Sequence, residues 1–145
     1  MKKYGGQTID TINVNYVEPG KTARTIEMKD ELSEMQKLVG GLIEEYMPFE
    51  DDVAIICNDE GKMNGMPLNR AITGEDGQLM DIIAGPFFIA YAPVESEKFL
   101  SMPKELEEKY TEKFRQPEQF FRTPAGIKAV KYEPETGPER RQEAR

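Results

Sequence analysis

The segment from Asn64 to Arg70 carries the most suggestive chemistry in the chain. The side-chain amides of Asn64 and Asn69 and the guanidinium of Arg70 lie around Gly65 and Pro67. Glycine and proline set unusual backbone conformations, so they can hold such groups in a defined arrangement. Amides recognise hydrogen-bonding edges, and a guanidinium binds phosphate or carboxylate. The segment therefore predicts recognition of a nucleotide-like ligand.

The predicted ligand site also includes three residues that lie later in the chain, Asp81, Phe87 and Tyr91. Asp81 interrupts an apolar run at 79–91, so its carboxylate must face water or a partner. Phe87 and Tyr91 offer rings on which a base can stack, although aromatic residues in such runs usually belong to the core. The alternative is a structural turn in which Arg70 pairs with an acid such as Asp81, since buried polar groups are usually satisfied internally. The predicted ligand-binding set is Asn64, Asn69, Arg70, Asp81, Phe87 and Tyr91.

A second candidate is a concentration of acidic residues. The segment 30–60 contains ten acids against a single base, Lys37, while the whole chain has a net charge of −8. Such a field repels nucleic acid and attracts a basic partner, including a protein that normally binds DNA. The alternative is a solvated face that maintains solubility. The candidate partner-binding residues are Glu44, Glu45, Glu50, Asp51 and Asp52.

The composition argues against catalysis. The absence of histidine excludes Ser-His-Asp and Cys-His catalysis and His-ligated zinc, and a single cysteine excludes an intrachain disulfide. Neighbouring acids in a strand, such as Glu44 and Glu45, point to opposite faces and do not converge. A metal-dependent hydrolase using Asp51, Asp52 and Asp59 ranks last among the alternatives. We therefore expect a non-enzyme with no catalytic residue, no metal and no cofactor.

The elements that position these residues belong to an α+β fold. Alternating and apolar runs predict strands at 9–16, 24–28, 42–47, 53–57 and 79–91, the last broken at Gly85–Pro86. Helical spacing predicts helices at 30–40, capped by Asp30, and at 102–115, capped by Ser101. We expect a curved, mainly antiparallel sheet of about five to six strands covered by these helices, the second lying at an edge or on the same face. The predicted core is Leu32, Met35, Leu38, Ile55, Ile56, Ile82, Ile83, Phe88, Ile89, Leu106, Tyr110 and Phe114.

The domain organisation follows from the same patterns. Polar and Gly-rich residues predict a flexible N-terminus at 1–8, a single domain at 9–121 and a mostly disordered charged tail at 122–145. No apolar run approaches the length of a membrane span, and the N-terminus lacks the pattern of a signal peptide. We expect a cytoplasmic protein with no membrane contact, and a homo-oligomer is left open.

Five ordered segments resemble one family. The run at 35–44 resembles the element MQ-x-x-VGG-x-IE, and the run at 53–62 resembles VAL-x-CN-x-EGK. The run at 64–71 resembles NG-x-PLNRA, the run at 81–89 resembles D-x-IAG-x-FFI, and 106–121 is similar to the closing helix of the same family. These are marks of a small domain of unknown function carried by bacteriophages and conjugative elements of gut bacteria, distantly similar to YodL-like domains of polyvalent proteins.

The resemblance supplies a setting but no reaction. Small acidic proteins of mobile elements often act as accessory or counter-defence factors, which is an argument by association. The setting implies a non-enzymatic protein that sequesters a small nucleotide-type ligand in the Asn64–Arg70 site. The alternatives are an acidic, DNA-mimicking inhibitor of a host defence protein and a protein-interaction module of another role. Direct binding of nucleic acid is not expected, because of the charge.

Overall fold

The structure, a computed structural model, describes residues 2–4, 7–9 and 11–134. Two helices and eleven strands lie within this part of the chain. The helices are α1 (Leu32–Val39) and α2 (Lys104–Lys113). The strands are β1 (Lys2–Tyr4), β2 (Gln7–Ile9), β3 (Thr11–Val17), β4 (Arg24–Lys29), β5 (Ile43–Tyr46), β6 (Val53–Asn58), β7 (Leu68–Thr73), β8 (Leu79–Ala84), β9 (Phe87–Tyr91), β10 (Glu118–Thr123) and β11 (Gly126–Lys131).

Five of the strands form the central sheet, in the order β4-β3-β9-β6-β5, and all neighbours are antiparallel. The other described strands form antiparallel pairs, β1 with β2, β7 with β8 and β10 with β11. The predicted α+β class, with mainly antiparallel strands and two helices, is confirmed. The central sheet has five strands rather than six because β7 and β8 pair with each other instead of joining it.

The central sheet buries both of its faces. Successive side chains of a strand point to opposite sides, so β6 sends Val53, Ile55 and Cys57 to one core and Ala54 and Ile56 to the other. This double burial explains why β6 is apolar from Val53 to Cys57 instead of alternating. The sheet thus separates two hydrophobic cores.

One helix covers each face of the sheet. Met35 and Val39 of α1 are buried in the core that contains Ala54 and Ile56. Tyr110 of α2 is buried in the opposite core, together with the β7–β8 pair. The expectation that the second helix lies at an edge or on the same face as the first is therefore wrong. The helical spacing of apolar residues shows that one face of a helix is buried. It does not show against which side of the sheet that face packs.

Both helices begin later than predicted, and neither uses the predicted cap. Glu31 is the N-cap of α1 and Pro103 that of α2, and neither side chain caps its helix. The Oγ of Ser101 instead accepts a hydrogen bond from the backbone amide of Asn13, at 2.8 Å. The predicted end of α1 is confirmed, because Gly40 has a positive φ of 81° and its amide bonds to the carbonyl of Gln36.

The break between β8 and β9 lies where the sequence predicts it. Gly85 has a φ of 82°, a left-handed conformation that side chains disfavour. A Cβ atom at this position would also lie 2.5 Å from Met66 Sδ. The chain therefore turns from the outer β7–β8 pair into the central sheet at a residue that must lack a side chain.

After β6 the chain passes through consecutive turns before entering β7, because β6 pairs with β5 and β9 rather than with β7. The prediction about the C-terminal tail needs correction. Beyond residue 121, β10 and β11 form a regular antiparallel hairpin that extends to Lys131. The exposed side chains of this hairpin explain why its strands have no clear apolar pattern. The rest of the predicted tail, 135–145, lies outside the described residues.

Most of the predicted core is buried, with one exception. Leu32 exposes 58% of its surface, because it is the first residue of α1 and, unlike Met35 and Val39 on the same side of the helix, it does not reach the core. Leu38 and Leu106 are half-buried against the two cores. The other predicted core residues are buried.

Candidate functional site

Arg70 lies at the centre of the best-connected polar cluster and is fully buried. Its Nε and Nη2 donate to the carbonyl of Phe114, and Nη2 also donates to the carbonyl of Lys21. Its Nη1 donates to the backbone and side-chain oxygens of Asn69. A guanidinium has five N–H groups, and these five bonds account for all of them. Arg70 therefore has no donor left for a ligand.

Burial lowers the pKa of Arg70 to about 10, while the nearby carboxylate of Glu118 opposes that shift. The group remains cationic at neutral pH. No carboxylate hydrogen-bonds to it among the described residues, so the predicted pairing of Arg70 with Asp81 is absent. Backbone carbonyls replace the carboxylate, and they come from the loop after β3 and from the end of α2. Arg70 thus joins three segments that are distant in sequence.

Asn69 has the same structural role. It is fully buried, and its Nδ2 donates to the carbonyl of Val17 at 3.0 Å and to the carbonyl of Gly85 at 2.8 Å. Its Oδ1 accepts a hydrogen bond from Arg70 at 2.9 Å. The amide therefore links the end of β3 to the turn between β8 and β9. We call Asn69, Arg70 and their carbonyl partners the Arg70 cluster.

The remaining predicted ligand residues lie in different places. Asn64 is exposed in the turn before β7. Asp81 forms an ion pair with Lys62 at 2.9 Å. Phe87 is fully buried and packs edge-on against Phe114, with ring centroids 5.6 Å apart. The structure therefore brings Asn69 and Arg70 together but does not assemble the six predicted residues into one site.

Tyr91, the sixth residue of the predicted ligand set, is half-buried at the end of β9. It packs against the core on the α2 side and forms an isolated β-bridge with Leu100. The residue is therefore used to join the loop after β9 to the sheet.

Most acidic residues of the β5–β6 hairpin are exposed to solvent, in contrast to the buried Asn69 and Arg70. We define the acidic edge as Glu44, Glu45, Glu50, Asp51, Asp52, Asp59 and Glu60. These residues lie on β5, in the loop between β5 and β6, and directly after β6. Asp51 is half-buried and the other six are exposed. The sheet thus carries a concentrated negative charge along one side.

Glu44 and Glu45 diverge, as the strand geometry predicts. Glu44 lines a cleft of about 250 Å³ beside β8, together with Asp59, Glu60, Lys62 and Asp81. Glu45 lines a separate groove beside α1. With four acids and one base, the cleft beside β8 is unfavourable for an anionic nucleotide.

Cys57 lies in the wall of the same cleft. Burial raises the pKa of its thiol to about 11, and the charges of Glu44, Asp81 and Asp59 add to this effect. The thiol is therefore protonated at neutral pH and a poor nucleophile.

The loop between β5 and β6 is held against α2. Asp51 Oδ2 lies 2.6 Å from Lys109 Nζ and accepts a hydrogen bond from the hydroxyl of Tyr110 at 2.8 Å. These two contacts lower the pKa of Asp51, the bond from Lys109 having the larger effect. The neighbouring carboxyl group of Glu75, in the β7–β8 turn, raises the pKa of Glu50. Asp52 is exposed, and its side chain has no ion pair to a described residue.

Metal binding at these acids has no geometric support. Within the described part of the chain, no group of three or more acidic or cysteine side chains converges as metal ligands do. Asp51 is turned toward Lys109 and Tyr110, whereas Asp59 lines the cleft beside β8. Asp51 and Asp59 therefore lie in different surroundings, and Asp52 is exposed without an ion pair to a described residue.

A groove beside α1 was not foreseen from the sequence. Its main part has a volume of about 570 Å³, and an adjoining part of about 370 Å³ shares Asp30, Lys98 and Phe99 with it. We define the α1 groove as these two cavities. Its signal in the sequence was weak, because its apolar residues come from the start of β3, from α1, from the end of β5 and from the loop after β9. Its apolar lining includes Met35, Met47, Val94, Phe99 and Leu100.

Comparison with known families identifies the region that forms this fold. The model of the domain of unknown function DUF3846 matches residues 12–115, which is most of the chain. The chain belongs to this family. The matched region begins in β3 and ends just after α2, so the DUF3846 domain contains the central sheet, both helices and the β7–β8 pair. The hairpin β10–β11 follows the matched region.

The other comparisons add no relative. No curated protein and no solved structure matches the DUF3846 domain of this chain. The predicted resemblance to a domain of unknown function is confirmed at that level. Among the residues that the structure describes, no helix has the length and apolar character that crossing a bilayer requires.

Proposed function

We propose that this chain is a non-enzymatic binding protein that uses its acidic edge to engage a basic surface of another protein. The single observation that supports this proposal is the exposure of the acidic edge. Six of its seven residues are exposed, whereas Arg70, the predicted ligand contact, is fully buried. A surface group is available to a partner, and a buried, fully bonded group is not.

The electrostatics favour a basic partner. Within the described residues, Lys62 and Lys109 are the bases that form ion pairs near this edge, with Asp81 and Asp51. The charges of Glu44, Glu45, Asp52, Asp59 and Glu60 have no ion pair to a described residue. Clustered charge of one sign accelerates association with a surface of opposite sign and selects against like-charged surfaces.

The class of partner follows from the same charge. Proteins that bind DNA present dense basic surfaces, and exposed carboxylates can compete for them. We propose that the partner is a DNA-binding host defence protein and that the chain is an accessory, counter-defence protein of a phage or other mobile element in the host cytoplasm. The family resemblance supports the setting, and the acidic edge supports the mode of binding.

Sequestration of a small nucleotide, the other function that the sequence suggests, has less geometric support. Arg70 donates all its hydrogen bonds internally, and Phe87 is fully buried. The cleft beside β8 is lined by four acidic residues and one lysine, so its charge repels an anionic nucleotide. A binding mode based on the acidic edge requires none of these residues to move.

The test uses purified DNA-binding defence proteins as partners and measures affinity by biolayer interferometry at increasing salt. Binding should compete with DNA and weaken steeply with ionic strength, as expected of exposed charges. The double variant Asp52→Lys with Glu60→Lys should lose most of the affinity. A matched control, Glu105→Lys with Glu108→Lys on α2, changes the net charge equally and should retain it. Equal loss in both variants, or binding that ignores salt, contradicts the proposal.

A further inference from the structure

The α1 groove combines an apolar floor with an acidic rim. Met47 and Val94 expose 50% and 88% of their surfaces at the groove, and Met35 and Phe99 lie deeper. Leu32, three residues before Met35 on α1, exposes 58% and lies on the same side of the helix. Exposed apolar residues are ordinary when scattered, but a contiguous set beside a groove is typical of an interaction surface.

The charges around this floor are mostly negative. Asp30, Glu45 and Glu97 line the groove, against a single base, Lys98. Glu45 belongs to the acidic edge, so the rim of the groove is continuous with that surface. Neither Glu45 nor Glu97 has an ion pair to a residue that the structure describes. The rim is therefore complementary to a positively charged occupant.

The shape of the groove favours a chain segment over a small molecule. Its two parts together run from β5 and the α1 side to Thr11 at the start of β3, across the end of the loop that follows β9. An elongated surface with several separate apolar positions suits side chains spaced along one face of a helix. Met35 and Met47 provide flexible, polarisable contacts that adapt to different apolar side chains.

We infer that the α1 groove binds a basic amphipathic helix of a partner protein, with apolar side chains on the groove floor and Lys or Arg side chains on its acidic rim. This inference rests on the proposed function and adds to it the kind of segment that is recognised. Charge alone attracts any basic surface, whereas the apolar floor selects one whose hydrophobic residues recur at helical spacing. Specificity would then come from the groove and rapid association from the acidic edge.

The test measures fluorescence anisotropy of a labelled helical peptide of leucine and lysine, about five turns long, with leucine at helical spacing. A control peptide has the same composition in an order that destroys the apolar face. The amphipathic peptide should bind about tenfold or more tightly than the control. Equal binding of the two peptides would mean that charge alone acts, which overturns the groove inference and leaves the acidic edge intact.

Matched variants locate the binding surface. Met47→Gln with Val94→Gln removes apolar contacts without a change of charge and should weaken binding about tenfold. Leu79→Gln with Met80→Gln removes similarly exposed residues of β8, 48% and 49% exposed, and should leave affinity within about twofold. Equal effects of both pairs overturn the inference. Circular dichroism and thermal melts establish that each variant is folded.

Two further outcomes separate this inference from the proposed function. If the amphipathic peptide fails to bind but a DNA-binding partner still binds in a salt-dependent manner, the groove inference is wrong and the proposed function stands. If a second copy of the chain occupies the groove, sedimentation velocity should show a dimer that the Met47→Gln, Val94→Gln variant loses. That result would also overturn the peptide as the occupant.

Discussion

The Arg70 cluster and the acidic edge are both rich in polar residues, yet the structure uses them in opposite ways. In the Arg70 cluster, every N–H of the guanidinium is bonded to a protein oxygen, and Asn69 and Arg70 are fully buried. On the acidic edge, Glu44, Asp52 and Glu60 are exposed, without ion pairs to described residues. The cluster therefore contributes mainly to stability, and the edge is available for recognition.

The comparison shows how burial decides the role of a polar side chain. An arginine and two asparagines at close spacing are equally suited to bind a ligand or to satisfy backbone carbonyls. Leaving a buried polar group without its partner costs about 1–3 kcal/mol, whereas removing an exposed charge usually costs little. Substitutions in the two regions should therefore affect stability very differently.

The largest effect is expected for Arg70→Met. The substitution removes five hydrogen bonds, so the buried carbonyl of Phe114 and the part-buried carbonyl of Lys21 lose the donors that Arg70 supplies. The free energy of unfolding should fall by about 3–5 kcal/mol, in the range for breaking a buried charged interaction. Urea denaturation measures the change. Arg24→Met, which removes a half-exposed arginine paired with Glu18, is the control and should cost less than about 1 kcal/mol.

Equal destabilisation by Arg70→Met and Arg24→Met would contradict a structural role for the cluster. A folded Arg70→Met protein of normal stability would instead support the hypothesis that Arg70 contacts a ligand.

A somewhat smaller loss is expected for Asn69→Ala. It removes the donors to the carbonyls of Val17 and Gly85 and one acceptor of Arg70. We expect about 2–3 kcal/mol of destabilisation from the unpaired buried groups. The paired control is Asn64→Ala in the exposed turn, which should change stability by less than about 0.5 kcal/mol. The same denaturation series compares the two asparagines, and similar losses would show that burial does not separate them.

The third effect concerns Asp51, the half-buried member of the acidic edge. Its folded pKa is lowered below the ordinary value of 3.8 by Lys109 and Tyr110, so its ionised form stabilises the fold. This contribution is present above that ordinary pKa and is lost as the pH falls through the lower, folded pKa. Asp51→Asn should therefore destabilise by about 1 kcal/mol at pH 7, with a difference from the unsubstituted chain that shrinks in acid.

Thermal melts from pH 7 down to about pH 3 test the Asp51 prediction. Asp52→Asn is the neighbouring control, because its exposed carboxylate has no ion pair to a described residue, and it should leave stability unchanged at each pH. A pH-independent loss in Asp51→Asn would show that the carboxylate charge is not involved.

The smallest effect on stability is expected for Asp52→Lys with Glu60→Lys. Both side chains are exposed, so the free energy of unfolding should change by less than about 0.5 kcal/mol. Partner binding should nevertheless be largely lost, as proposed above. Denaturation and affinity measured on the same samples separate the two properties. A large loss of stability in this variant would remove the contrast between the two regions.

The fold could be predicted from local patterns to a considerable extent. The apolar run of β6, the break at Gly85 and the C-terminal stop at Gly40 all follow from short-range rules, and the structure confirms them. The side of the sheet on which α2 packs could not be predicted, because both faces of β6 are apolar and accept either helix.

The role of the Arg70 cluster could not be predicted for a related reason. The carbonyls that satisfy Arg70 belong to Lys21 and Phe114, which are 49 and 44 positions away in sequence. No local pattern reveals that these segments meet. The divergence of Glu44 and Glu45 was predictable, because it depends only on the alternation of side chains along a strand.

The α1 groove could not be predicted from the sequence either, because it is also formed by segments that are distant in sequence. Its apolar residues come from four separate segments, and no local pattern in the sequence shows that they meet. Only their arrangement at the end of β9 leaves Met47 and Val94 exposed.

The prediction for Tyr110 was partly successful. Its helical spacing predicted that the side chain is buried, but not that its hydroxyl donates a hydrogen bond to Asp51.

The hairpin β10–β11 has a consequence for how the domain can be excised. The Glu118 carboxylate accepts a hydrogen bond from the amide of Ala71, on the edge of β7 that does not pair with β8. A fragment ending at residue 115 would keep the whole family-matched region and yet leave this edge of β7 bare. Bare strand edges recruit other strands, so such a fragment should aggregate although its core is complete. The segment needed to cover the edge of β7 is therefore longer than the family boundary.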